Sequence, residues 1–100
     1  MEGVKYDAGK LRWELLPIAP IQAVVGVLQY GSLKYADENW RKVTPFRSRY
    51  FAAALRHIFA WWQGEKIDPE SGYHHLAHAI CCLIFLMEGE NYANTDTITH

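Results

Sequence analysis

Cysteine is nearly missing from this sequence: Cys81 and Cys82 stand side by side with no third thiol anywhere, which excludes a disulfide framework and fits a reducing compartment. Long apolar runs are missing too. The longest unbroken apolar stretch is Ala79 to Met87, well short of the roughly eighteen residues a membrane span needs. The opening Met-Glu-Gly-Val-Lys-Tyr-Asp has no apolar segment of a leader, so the expectation is a soluble, cytoplasmic protein with no membrane partner. Net charge is also small. Ten Lys and Arg face eleven Asp and Glu, for a formal −1, which removes any global attraction to nucleic acid. The Gly-x-x-x-x-Gly-Lys-Ser/Thr phosphate loop, the Cys-x-x-Cys pair and the Gly-x-Ser-x-Gly elbow are all absent. So are internal repeats and any apolar alternation of strand period.

What the chain does have is apolar mass, half of its 100 residues, in segments of helical period. Residues 1–16 mix Gly, charge and large apolar groups without a period and read as an irregular arm, with Trp13, Leu15 and Leu16 expected to pin it to the core. Pro17 and Pro20 punctuate the entry to a first helix reaching Lys34 or Tyr35, with Ile21, Val24, Val25 and Leu28 on its buried face and Gly26 and Gly31 as close-approach positions. Thr44-Pro45 starts a second helix to about Gln63. Its stripes, Phe51, Leu55, Ile58, Phe59 and Trp62 beside Tyr50, Ala54, His57 and Trp61, make it the expected central helix. Asp68-Pro69, with Glu70 in the first turn, reads as the start of a third helix ending at Gly89. Its core face is Leu76, Ile80, Leu83 and Met87, beside His75, His78, Cys82 and Phe85. The expected fold is all-α, a small three-helix domain over residues 1–90 with a flexible tail at 91–100. A domain of this size and pattern is expected to complete its core by pairing with further copies of itself, as a homodimer or homotetramer.

The chemistry is concentrated between Arg56 and Cys82, where His57, Glu65, Asp68, Glu70, His74, His75 and His78 fall together. Glu65, Asp68 and Glu70 on one turn suit a hard divalent ion such as Mg²⁺, which takes a few carboxylate oxygens and keeps its waters. Adding His57, His75 or His78 moves the preference toward Mn²⁺, Co²⁺ or Zn²⁺. Upstream, Arg41, Lys42, Arg47, Arg49 and Arg56 form a basic patch, and Trp40 stands alone in a charged connection, either docked on the core or stacking on a ligand ring. Carboxylates and histidines facing cations and aromatics suit a metal-bound nucleotide. The competing reading is a non-catalytic helical module that binds a nucleotide, a metal or a protein, in which Asp68 and Glu70 are helix caps and the histidines are core residues. A third, nucleic-acid binding through the basic patch, is the weakest.

The segments Lys5-Tyr-Asp-Ala-Gly-Lys-Leu-Arg, Tyr30-Gly-Ser-Leu-Lys-Tyr-Ala-Asp-Glu-Asn-Trp-Arg-Lys, Ala54-Leu-Arg-His, Gly64-Glu-Lys-Ile-Asp-Pro-Glu-Ser-Gly and His75-Leu-Ala-His-Ala resemble, in order and spacing, the dATP/dGTP diphosphohydrolase N-terminal domain family of bacteriophages. Some of its members are similar to MazG-like all-α pyrophosphohydrolases. The resemblance implies Mg²⁺- or Mn²⁺-dependent hydrolysis of (deoxy)purine nucleoside triphosphates to monophosphate and pyrophosphate, in the cytoplasm of an infected host. It implies Glu65, Asp68, His57, His75 and His78 at the metal or phosphate end, and with the acidic turn read above the expected catalytic carboxylates are Glu65, Asp68 and Glu70. Lys5, Asp7, Lys10, Lys34, Asn39 and Trp40 are the implied nucleotide contacts, and Arg56 of the basic patch is expected to join them. The Glu-Glu-x-x-Glu half of the MazG pattern is absent, and Glu65-Lys-Ile-Asp68 matches the other half in letters only, on a turn.

Overall fold

Pro17, held extended, leads into a first helix, α1 (Ile18–Lys34), and Pro20 falls in its first turn, where a missing N–H costs nothing. The computed structural model describes residues 3–91, and in it two further helices follow, α2 (Phe46–Trp62) and α3 (His75–Gly89). Short 3-10 turns occupy Trp13–Leu15 and Asn39–Lys42. Among the described residues there is no strand, only an isolated antiparallel bridge between Ile67 and His74. The protein is all-α, as expected. All of the expected tail beyond Asn91, including His100, lies outside the described residues.

The central element is α3, not α2: it packs against both other helices. The reason is side-chain size. Ala77 and Cys81 present small surfaces on which Val24 and Val27 of α1 are buried, and Tyr73 and Phe85 close the cluster. Cys81 Sγ donates to the Val24 carbonyl at 3.4 Å. The buried face of α1 is therefore Val24 with Val27, while Val25 and Leu28 are exposed. Gly26 is a close-approach position, because a Cβ there would lie 2.3 Å from Tyr73 Cε1; Gly31, by contrast, faces open space. Gly26→Val is accordingly expected to cost about 1–2 kcal/mol, the strain of overpacking outweighing the gain in helix propensity. Gly31→Ala is expected to stabilise by about 0.5–1 kcal/mol. Urea midpoints of the two variants give both signs.

Helices α2 and α3 run antiparallel. Phe46 at the start of α2 meets Gly89 at the end of α3, where an added Cβ would sit 2.3 Å from the Phe46 ring, and His57 late in α2 meets His75 and His78 early in α3. The two stripes expected to face the core do not. Phe51, Phe59 and Trp62 are 56%, 55% and 76% exposed, and Ile80, Leu83 and Met87 are 36%, 45% and 73% exposed. On a helical wheel both rows lie roughly opposite His57 and His78, on the back of the pair. The buried face of α3 instead carries His75, Ala77, Ala79, Cys81 and Cys82. Trp13, Leu15 and Leu16 are exposed as well; the arm is not pinned to the core.

Candidate active site

Opposite that apolar back, α1, the Asn39–Lys42 turn, α2 and α3 enclose an open cavity of about 800 Å³, a size that suits a nucleotide. Three cationic side chains line it: Lys34 from the end of α1, and Arg49 and Arg56 two turns apart on one face of α2. His57, His78 and the carboxylates Asp68 and Glu70 line it too, as do Asp37 and Glu38.

The carboxylates come from a tight turn rather than a helix start. Asp68 N–H donates to the Tyr73 carbonyl at 2.8 Å, Gly72 N–H returns to the Asp68 carbonyl at 2.8 Å, and Asp68 Oδ2 accepts the Ser71 N–H at 3.1 Å. Gly72 takes a φ of +79°, which glycine adopts without steric cost. Helix α3 therefore starts at His75 rather than at Pro69, and its cap is His74, whose Nδ1 accepts from the Leu76 N–H at 3.0 Å. Likewise α2 begins at Phe46 with no side-chain cap, and the expected cap residue Thr44 serves through its carbonyl, which accepts from Arg49 Nη1 at 3.0 Å.

Both turn carboxylates are held ionised. Burial by itself pushes the Asp68 carboxyl up, but the Ser71 hydrogen bonds and the nearby His78 outweigh it and leave it below the usual range. Glu70 is lowered by Lys34 Nζ and by the Tyr30 hydroxyl, which donates to Oε2 at 2.8 Å. The same contact raises both Lys34 and Tyr30.

The histidines form a connected row. His75, only 4% exposed, contacts Glu65 Oε1 through Nε2 at 2.7 Å, and its Nδ1 lies 2.8 Å from Nδ1 of His57. The His57 ring stacks on His78 at 4.5 Å and 10°, and His78 Nε2 meets the Ser71 hydroxyl at 2.6 Å and Asp68 Oδ2 at 3.4 Å. Burial, then the neighbouring His78 and His75, push the His57 imidazole down to about 4, and burial lowers His78 also.

A stability change with pH follows from His57. The unfolded chain takes up its proton below the ordinary value of 6.5, whereas the folded chain waits until about 4. Between those values the unfolded state binds more protons, so stability present above 6.5 is lost as pH falls toward 4. The ring is only half-buried, so the loss is expected to be roughly 1–2 kcal/mol, below what the full shift implies. Denaturant midpoints across that range, in the protein and in His57→Asn, give the slope and its removal.

Of the residues singled out from sequence, Lys34, Asn39, Trp40, Arg56, His57, Asp68, Glu70 and His78 share the cavity wall. Glu65 and His75 stand behind His57. Lys5, Asp7 and Lys10 lie on the exposed arm, where Lys10 N–H turns back to the Asp7 carbonyl at 3.1 Å, and they are not brought to the cavity. Trp40 is docked: Phe85 stacks on it at 4.4 Å and the Arg41 guanidinium carbon lies 4.3 Å from the ring centroid. Two such neighbours need opposite faces, so only the ring edge is left for a ligand. Sequence reasoning missed Tyr30 and Ser71. For Tyr30 the signal was its i, i+4 spacing from Lys34, which puts both on one helix face.

Among the described residues no three His, Cys, Asp or Glu side chains are arranged to hold a metal ion together. The parallel rings of His57 and His78 direct their in-plane lone pairs along separate planes, and His57 and His75 are engaged with each other. Buried Cys81 and Cys82, whose thiols burial pushes up to about 12 and about 11, are core residues. A hard ion that keeps its waters needs only one or two carboxylates beside the phosphates of a nucleotide, and Asp68 with Glu70 fits that requirement.

The family model described as "dATP/dGTP diphosphohydrolase, N-terminal" matches residues 1–97. The chain belongs to this family. A similar protein, the dATP/dGTP diphosphohydrolase of Salmonella phage PMBT28, is 34% identical over 86 residues, 86% of this chain and 29% of that protein. The chain thus spans less than a third of the length of this relative. No solved structure matches it significantly. Within this diphosphohydrolase family context, every turn residue from Glu65 to Gly72 falls inside the matched region, together with the cavity-lining faces of all three helices. No helix among the described residues is long and apolar enough to cross a membrane.

Proposed function

We propose that this chain carries the hydrolytic site of a deoxynucleoside triphosphate diphosphohydrolase, converting dATP or dGTP to the monophosphate and pyrophosphate during phage nucleotide metabolism. The observation that supports it is the cavity in which Lys34, Arg49 and Arg56 face the ionised Asp68 and Glu70. Arg49 and Arg56 neutralise triphosphate charge, Arg by forked hydrogen bonds to two oxygens at once. Lys34, tied to Glu70, sits where it can bind a phosphate or hold that carboxylate in place. Asp68 and Glu70 would hold Mg²⁺ or Mn²⁺, which when bound supplies charge neutralisation at phosphate oxygens and a more acidic water. Water adds to the α-phosphorus, the bond from that phosphorus to the bridging oxygen breaks, and pyrophosphate leaves into the field of the two arginines. Tyr35, exposed at the rim, is the aromatic face open to a base.

Incubation of the chain with each common dNTP and NTP, with Mg²⁺, Mn²⁺ or EDTA, tests this: metal-dependent monophosphate and pyrophosphate from purine deoxynucleotides are expected. Products absent in every metal, with the fold intact, favour the second reading, a nucleotide-binding module. One observation supports that module: Asp68 and Glu70 already have partners in Ser71, Lys34 and Tyr30.

The open back of α2 and α3 supports self-association. Phe51, Leu55, Phe59 and Trp62 beside Leu76, Ile80, Leu83 and Met87 form an uncharged two-helix face, and a second copy across a two-fold axis would turn the pair into a four-helix arrangement. Sedimentation equilibrium is expected to give a dimer or tetramer that Trp62→Glu with Leu83→Glu dissociates without loss of helix. A monomeric wild-type chain at high concentration would instead assign the face to another part of a longer protein.

A further inference from the structure

Behind the cavity wall lies a chain of three side chains that phosphate binding does not use: exposed Glu65, buried His75 and cavity-lining His57. We propose that Glu65 and His75 are positioning residues that lock His57 in its Nδ1–H tautomer, so that its bare Nε2 accepts a hydrogen bond from the attacking water. This rests on the hydrolytic reading above.

The tautomer is decided by which atoms can donate. An ionised carboxylate only accepts, so the 2.7 Å contact from Glu65 Oε1 requires the proton of His75 to be on Nε2. Above the ordinary imidazole range a ring carries one proton, so Nδ1 of His75 is left as an acceptor. Only 2.8 Å separates it from Nδ1 of His57, a distance that two bare lone pairs do not tolerate. The proton between them therefore belongs to His57. That ring in turn has one proton, now placed, and its Nε2 is bare. Without Glu65 the order could run the other way, with His75 donating from Nδ1 and the cavity presented with an N–H in place of a lone pair. Geometry supports the lock at its base: His75 N–H donates to the Lys66 carbonyl at 2.9 Å, tying α3's first residue to the chain beside Glu65. Stacking on His78 fixes the plane of the His57 ring. An orienting group two residues removed from the reacting atoms thereby decides which nitrogen state the cavity meets.

Long-range ¹H–¹⁵N correlation on ¹⁵N-histidine-labelled protein at about pH 8, above the ordinary imidazole range, reads the tautomer directly, and steady-state kinetics on the same samples read its use. His57 Nε2 is expected to show the shift of an unprotonated nitrogen. In Glu65→Gln the amide can either donate to or accept from His75, so the lock is released: His57 becomes a tautomer mixture and kcat falls about tenfold with KM unchanged. Glu65 is exposed, so this variant keeps the fold; His75→Phe, which keeps a buried ring, is expected to give the Nε2–H form that isolated imidazole favours. A protonated Nε2 in the wild-type protein, or a Glu65→Gln variant with tautomer and kcat both unchanged, overturns the proposal. If no nucleotide is hydrolysed but the tautomer shifts as described, the catalytic use is overturned while the lock itself stands, which separates this failure from that of the hydrolytic reading.

Discussion

Asp68→Asn is expected to lower kcat by on the order of 10²-fold or more, the scale on which a single preorganised electrostatic group acts in a site of this kind. Asparagine keeps an oxygen that can accept the Ser71 N–H now bound by Oδ2 at 3.1 Å, so the turn survives and stability moves by a few tenths of a kcal/mol. What is lost is the negative charge, which hydrogen bonds to Ser71 now maintain. Initial rates together with thermal unfolding separate the two effects. A variant with full activity and lowered stability would make Asp68 a capping residue and nothing more.

Trp40→Ala is expected to be the most damaging single truncation for stability, at about 3 kcal/mol. Its ring lies between Phe85 and the Arg41 guanidinium, and Phe46 approaches at 6.0 Å with the planes tilted 44°. Phe46 and Phe85 in turn meet Tyr50 edge-on at 5.1 Å and 5.2 Å. Removing the indole unstacks Phe85, takes the ring from under Arg41, which keeps its ion pairs to Glu38 and Glu88, and opens the wall between the Asn39–Lys42 turn and α3. Guanidinium unfolding gives the size of the loss. Trp40→Phe, which keeps a ring in the stack, is expected to recover most of it.

The three helices were legible because proline entries and apolar periods mark them locally. Which face each helix buries was not. Large residues in phase, such as Phe51, Phe59, Leu83 and Met87, read as core by hydrophobicity alone, yet the contact of α3 with α1 is made by Ala77 and Cys81, whose small size lets helices approach. Periodicity reports that a face is apolar, not what covers it. The acidic turn was legible as a turn in Gly64 to Gly72, but its role as helix start was misread: Asp68 bonds within three residues, and that local pattern is the same for a turn as for a cap. Grouping Glu65 and His75 with the cavity residues failed for a spatial reason, since neither residue type nor spacing says which side of His57 a side chain lies on. The arm cations Lys5 and Lys10 depend on contacts that the described chain does not make by itself.

Binding of the triphosphate in the space between α1, α2 and α3 is read out by a crystal structure with a purine deoxynucleotide bearing a non-hydrolysable α,β linkage and Mg²⁺. The phosphates are expected between Arg49 and Arg56 on one side and Asp68 and Glu70 on the other, with the ion on the carboxylates. A nucleotide bound on the apolar back of α2 and α3, or anywhere that leaves those four side chains untouched, would contradict this placement.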